Sequence, residues 1–395
     1  MTAPKGVLVA GAARTPIGKF GGALASLQAA DLGTFAARAA IEASGVPADA
    51  IEEAIFGNAR QAGVRPNVAR QIAHRAGVPD TTPAYTINKA CGSGLKAIMN
   101  AYGAIALGDA DVVLAGGTES MSNTPYLLLG ARWGYRLGPA EIVDGMYRDG
   151  FLCPLCEQLM GETAENLVDR YGISREESDR YAAESQQRCE SARVDGRFRD
   201  EIAPIEVPGK REVATISQDE HPRDGVTAES LAKLPPVFRE DGTVHAGNSS
   251  GITDGAAAVV ALSEDKAKAL GAEPMARIVA YASAGVDPAI MGIGPVPAVR
   301  KLLDKTGLSL DDIDLIELNE AFASQVLACH RELGFDLERV NVNGGAISLG
   351  HPIGATGARI VVTLLHEMKK RQARRGLATL CISGGLGLAV LFEAV

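Results

Sequence analysis

The sequence predicts an α/β fold made of two equivalent halves, the first interrupted by a long insertion. Three observations predict it. Short strand-like runs alternate with helical patterns at both ends of the chain, the order that builds a parallel-rich sheet covered on both faces. Gly45, Asp49 and Ile51 recur as Gly307, Asp311 and Ile313, each 262 residues later, and the same shift carries Gly92 onto Gly354. The apparent partner of the strand around 112–117 comes only at 255–262, so the residues from Thr118 to Ser250 are too many for an ordinary loop. The division expected is 1–120 with 248–270 as one half, 121–247 as an inserted domain, and 271–395 as the other half.

Each element has its own reason. Residues 7–12 alternate Val, Leu, Val and Ala as a strand before the turn Arg14-Thr15-Pro16-Ile17-Gly18. A helix is predicted over 31–44, with Asp31 as its cap and Gly45 as its stop. A strand follows at 51–56, a helix at 67–75, a strand at 84–87 and a helix at 95–107. In that last helix Leu95, Ile98, Met99, Tyr102, Ile105 and Ala106 keep helical spacing. The second half offers a strand at 278–282, a helix at 296–305, a strand at 313–318 and a helix at 321–333. An extended run at 340–342 then enters a glycine-rich turn, followed by a helix at 358–368. Strands at 378–382 and 388–392 are joined through Ser383-Gly384-Gly385. The insertion is polar, with an amphipathic helix at 174–193 and basic points at Lys210, Arg211 and Arg223. Insertions of this kind commonly build a ligand site.

Composition excludes several classes. With 46% hydrophobic and 22% charged residues over 395 positions, the chain has ample core for two or three domains. A net charge of −9 argues against a nucleic-acid surface while leaving room for a phosphorylated ligand on a local basic patch. Six cysteines in so long a chain do not make a disulfide framework. The first residues lack the apolar core of a signal peptide, and no apolar run reaches membrane-spanning length. The expectation is a cytoplasmic protein with neither membrane nor nucleic-acid partner.

Chemistry gathers at strand ends. Asn88-Lys89-Ala90-Cys91-Gly92-Ser93-Gly94 places a thiol where a buried strand turns into a buried helix. The helix's positive end there favours thiolate and therefore nucleophilicity. Free cysteine is also among the most buried residue types, and on this stretch alone the two readings stand level. Glu317-Leu318-Asn319-Glu320-Ala321-Phe322 puts a carboxamide at the carboxyl edge of the sheet, where ligands bind and where an asparagine is usually a cap. The run from Asn343 to Gly357 is rich in glycine, with His351 at its tip; Cys381-Ile382-Ser383-Gly384-Gly385 supplies a second strand-end thiol. Gly247-Asn248-Ser249-Ser250-Gly251 closes the insertion. Taken singly, His351 is more often a turn residue and Cys381 a core residue. Taken together they lie at equivalent places on duplicated halves.

The set Cys91-Gly92-Ser93-Gly94, Asn319-Glu320-Ala321-Phe322, Gly350-His351-Pro352 and Cys381-Ile382-Ser383-Gly384-Gly385 resembles the thiolase family, and the likeness runs from Val7 to the C-terminus. The resemblance implies a five-layer α-β-α-β-α fold with a loop domain, assembled as a dimer or tetramer. It also implies reversible Claisen condensation of CoA thioesters and the reverse thiolysis, with the thioesters as substrates and no cofactor or metal. In that chemistry Cys91 carries the acyl group, and His351 is its base, tuned near neutral pH. Cys381, its thiol pKa lowered somewhat, moves the α-proton. Two oxyanion pockets are expected: His351 with a water held by Asn319, and the main-chain N–H groups of Cys91 and Ser383. By the same resemblance Arg223, Ser230, Ala246 and Ser250 contact CoA, while Met160, Met291 and Phe322 line the acyl pocket.

Leu159 stands where short-chain biosynthetic relatives often have histidine, which bears on acyl-chain preference. Acetoacetyl-CoA is the leading substrate and a longer 3-ketoacyl-CoA the alternative. The decarboxylating ketosynthases share the duplicated fold but usually replace the Cys381 role, and the intact quartet argues against a non-catalytic acyl-CoA-binding protein. Cys153-Pro154-Leu155-Cys156 has no second pair and does not suggest zinc.

Overall fold

The two halves pair their strands in the same order, five strands in the first and four strands with an isolated bridge in the second. In the first half the order is Ala84–Ile87, Glu53–Gly57, Val112–Ser120, Thr253–Ser263 and Val7–Arg14. In the second, Val340 bridges Ile316, and the strands Leu315–Leu318, Arg375–Ile382, Leu386–Ala394 and Ala276–Gly285 follow. The half-sheets meet edge to edge where Leu8 and Val9 pair with Arg277 and Ala276. This computed structural model describes residues 5–209 and 212–395, so Lys210 and Arg211 lie outside the described residues.

The sheet is less parallel than the alternation of elements predicts. Strands are parallel where a helix intervenes, as Glu53–Gly57 is to Ala84–Ile87 and to Val112–Ser120, and Leu315–Leu318 to Arg375–Ile382. The hairpin from Arg375–Ile382 to Leu386–Ala394 has only three residues to turn in, which antiparallel pairing alone permits. Thr253–Ser263 likewise returns antiparallel to Val112–Ser120, with Leu262 opposite Val112 and Asp254 opposite Ser120.

Helices make three further layers. Ala29–Ser44 and Val68–Arg75 cover the outer face of the first half-sheet, and Pro295–Thr306 and Ala323–Leu333 that of the second. Between the sheets lie Ser93–Leu107 and Ile353–Arg371, whose apolar faces form one core with both inner sheet faces. Most boundaries shift by one to three residues, and two of the differences have a clear physical reason. Gln28, not Asp31, caps the first helix; Asp31 sits one turn in, its Oδ2 accepting the Gln28 N–H at 2.9 Å. The last helix begins at Ile353, five residues before the predicted start, because Gly354 and Gly357 form its opening turns. A Cβ on Gly357 would overlap the Leu95 main-chain nitrogen, and one on Gly94 would lie 2.8 Å from the Ala358 nitrogen. The central helices therefore cross backbone to backbone at their N-terminal turns.

The insertion contains helices Met160–Tyr171 and Arg175–Val194, the latter capped by Ser174 accepting the Glu177 N–H. Buried charge anchors it at both ends. Arg14 donates to Glu201 at 2.6 Å and to Asp219 at 2.7 and 2.9 Å. Glu320, from the second half, accepts from Tyr181 and Ser185 of the long inserted helix, and from Asn341 and the Ile347 N–H. Among the described residues no helix is long and apolar enough to cross a membrane.

Gly357→Ala would force the helix crossing apart. An unfolding free energy lowered by about 1–3 kcal/mol is expected, the usual cost of overpacking, and an unchanged denaturant midpoint would show that the crossing yields without penalty.

Candidate active site

The Cys91 turn is held by its own polar side chains. Asn88 donates to Ala59 O at 3.1 Å and accepts the Ala90 N–H at 3.0 Å. Ser93 Oγ accepts from the Lys89 N–H at 2.8 Å and donates to Ala90 O at 2.7 Å. Between them Ala90 is left-handed, with φ of 44°, an unfavourable state for alanine that neighbouring bonds hold in place. The result presents Cys91 at the first turn of Ser93–Leu107.

Main-chain hydrogen bonds bring the other motifs to the same place. The His351 N–H donates to Gly251 O at 3.0 Å, the Ser250 N–H to Ala321 O at 3.0 Å, and the Ala323 N–H to Asn248 O at 2.9 Å. They enclose a cavity of about 390 Å³, within the usual range for ligand pockets. Cys91, His351, Cys381 and Ser383 share its wall. Leu159, Met160, Met291 and Phe322 also line it, as do Arg223, Ala246 and Ser250.

Two predicted residues stand apart. Ser230 is exposed and lines an adjoining cavity of about 170 Å³, together with Arg223 and Ala246. Asn319 lies behind the pocket wall, 1% exposed; neither of its amide atoms has a partner, so it caps nothing. A buried unpaired amide is costly, and a water held by Asn319 would satisfy it.

Burial reverses the charge expected of each group. It pushes the Cys91 thiol up, against the opposing pull of the Ser383 N–H, the Arg60 charge and its own N–H. The helix end does not overcome this, because the sulfur is removed from water at the pocket wall. Burial, with the charges of Arg359 and Arg60, pulls His351 down to about 3 rather than near neutrality. Cys381 is raised well above the thiol range, by burial first and then by Cys91 and Cys329, rather than lowered. At neutral pH all three are therefore uncharged. The His351 tautomer follows from its neighbour: Thr356 Oγ1 donates to Pro352 O at 3.0 Å, so it accepts from His351 Nδ1 at 2.6 Å. Nε2, which has no partner, is left as a bare acceptor.

The sequence reading missed Arg60, Tyr147, Phe151, His221 and Phe238, all on the pocket wall. Only His221, one of six histidines and two residues from Arg223, carried a signal; the others sit in segments without periodicity. Among the described residues no group of three His, Cys, Asp or Glu side chains could hold a metal ion, and all six cysteines, Cys153 and Cys156 included, are free thiols.

This fold and pocket define a duplicated α/β enzyme built around paired strand-end thiols and a neutral histidine. Models of the thiolase N-terminal and C-terminal domains match residues 7–265 and 272–394. The chain belongs to the thiolase family. It is 56% identical over 385 residues to an acetyl-CoA acetyltransferase of Pseudomonas aeruginosa, covering 97% of this chain and 98% of that one. The crystal structure of the Bacillus anthracis acetyl-CoA acetyltransferase superposes with a TM-score of 0.98 at 49% identity, over 100% of both chains. Human mitochondrial 3-ketoacyl-CoA thiolase in complex with CoA superposes with a TM-score of 0.95 at 47% identity, over 99% of this chain and 98% of that one.

The depressed His351 has a consequence for stability. Its proton affinity is lower folded than unfolded, so between about pH 6.5 and 3 the unfolded chain binds more protons and stability falls with pH. From pH 7 to pH 5 this group alone costs about 2 kcal/mol. His351→Asn should flatten that part of the profile, measured by denaturant unfolding at pH 5, 6 and 7; equal slopes in both proteins would show that His351 is not held neutral.

Proposed function

We propose that the protein is an acetyl-CoA C-acyltransferase, a thiolase that interconverts acetoacetyl-CoA plus CoA with two molecules of acetyl-CoA. The observation that carries this reading is the convergence of Cys91, His351 and Cys381 on one pocket wall, which Ser383 also lines.

In the thiolysis direction Cys91 Sγ attacks the ketone carbon of the substrate as His351 Nε2 takes the thiol proton. Thiol and imidazole are each disfavoured as ions in this pocket, so the proton moves as charge passes to the substrate oxygen. That oxygen meets the main-chain N–H groups of Cys91 and Ser383. The bond between C2 and C3 then breaks, and the electron pair leaves as the enolate of acetyl-CoA. Cys381, which keeps its proton at neutral pH, protonates the enolate carbon, while His351 and an Asn319-held water meet the enolate oxygen. CoA thiol gives its proton to the Cys381 sulfur and attacks the acyl-Cys91 carbonyl; the Cys91 sulfur leaves, taking back the proton held by His351, and the second thioester is released. In condensation Cys381 removes the α-proton instead.

Arg223 at the rim, Ser230 beside it, and Ala246 and Ser250 on the wall suit the phosphates, adenine side and pantetheine of CoA. Leu159, Met160, Met291 and Phe322 suit the acyl group. Apolar Leu159 in that wall favours a second reading, a longer 3-ketoacyl-CoA, which thiolysis across chain lengths would separate from the first. The same reading takes the protein to be cytoplasmic and a homodimer or homotetramer.

Two substitutions test these roles. Cys381→Ser should still acquire an acetyl group on Cys91, seen by mass, but lose α-proton exchange of acetyl-CoA in heavy water by about 10²–10⁴-fold. Exchange at the wild-type rate would remove Cys381 as the base. Arg223→Ala should raise KM for CoA several-fold with little change in kcat, the mark of uniform binding; an unchanged KM would assign the phosphates to other residues.

A further inference from the structure

Acyl transfer leaves Arg60 without a task. It is 5% exposed and lines the pocket with Cys91, Tyr147, Gly150 and Phe151. Nη1 donates to Asp149 O at 3.1 Å, and the Phe151 ring lies 6.0 Å from the guanidinium carbon. Nε and Nη2 have no partner. Gly150 makes room for this group, since a Cβ there would overlap Nη2.

A guanidinium cannot shed its proton, and burying one unpaired is strongly unfavourable. Elsewhere buried guanidinium groups have a counter-charge: Arg14 is paired with Glu201 and Asp219, and Arg359 with Glu317, although Nε and Nη2 of Arg359 are also without partners. Of these three buried arginines among the described residues, Arg60 alone has no ion pair. Glu119, whose charge acts in concert with it, is already occupied. Its oxygens accept from Asn58 Nδ2 and from the N–H groups of Ala59, Arg60 and Gly354, at 2.7–3.1 Å. Arg60 shares the pocket wall with Cys91 and His351, where a chain attached to the Cys91 sulfur would extend, and its charge acts on both groups. An acetyl group brings nothing to meet that charge.

We propose that Arg60 is the counter-ion for a carboxylate at the far end of the acyl chain, so that the enzyme prefers ω-carboxyacyl-CoA substrates to plain acyl chains of the same length. This rests on the thiolase reading above and narrows its substrate class.

The test compares thiolysis of 3-oxohexanoyl-CoA with that of its six-carbon counterpart ending in a carboxylate. Wild type should show the higher kcat/KM for the carboxylate substrate, with a preference that weakens as salt rises. Arg60→Gln should shift the ratio of the two kcat/KM values against the carboxylate by at least about tenfold, the worth of a charged hydrogen bond. Gly150→Ala, which displaces the guanidinium without removing it, should shift the ratio the same way. An equal fall for both substrates would overturn the assignment and leave Arg60 acting on Cys91 or on the 147–151 segment. So would a wild type that prefers the neutral chain, a result that stands even if both variants fail to fold. Wild type cleaving neither substrate, nor acetoacetyl-CoA, would instead overturn the thiolase reading.

Discussion

The site depends on one contact, the crossing of the two central helices at Gly94 and Gly357. Two helix N-termini meet there with backbone against backbone, Leu95 beside Gly357 and Ala358 beside Gly94. The residues just ahead of those turns, Cys91 and His351, are thereby carried to one pocket from segments 260 positions apart in the chain. The Ile382 side chain packs where a Cβ on Gly92 would sit, which brings the Cys381–Ser383 turn alongside. Small residues at these points are a condition of the chemistry rather than a loop signature.

Close packing also explains the electrostatics. With His351 and Cys381 buried and Cys91 partly so, neither a preformed thiolate nor an imidazolium is favourable, and the pocket holds a neutral thiol, a neutral imidazole and a second neutral thiol. In the proposed reaction charge appears only as it moves onto the substrate, toward main-chain N–H donors. An exposed ion pair would lose part of that advantage to solvent. The left-handed Ala90 stores strain in the same turn, held by Asn88 and Ser93.

Buried charge serves two ends in this fold. Arg14 with Glu201 and Asp219, and Glu320 with its four donors, lock the insertion onto both halves; each is satisfied, so each fixes geometry. Arg60 is the exception, and its position on the pocket wall ties the exception to what the pocket accepts.

Sequence alone pointed to the duplication, the insertion and most strands and helices, and it singled out Cys91, His351 and Cys381, which the fold brings to one pocket wall. Those features are written in local periodicity, in strand-end motifs and in a recurring spacing. Helix starts were less legible, because at Gly354 and Gly357 packing overrides the usual meaning of glycine. Strand directions were decided by the Ser383-Gly384-Gly385 hairpin and by the return of the insertion. Tertiary structure alone decided the protonation of Cys91, His351 and Cys381, since burial is a property of the assembled pocket and helix position gives the opposite sign. It also set Asn319 behind the wall and Ser230 in the adjoining cavity. Arg60 lay in a segment without pattern, and only folding shows that it is buried, unpaired and beside the nucleophile.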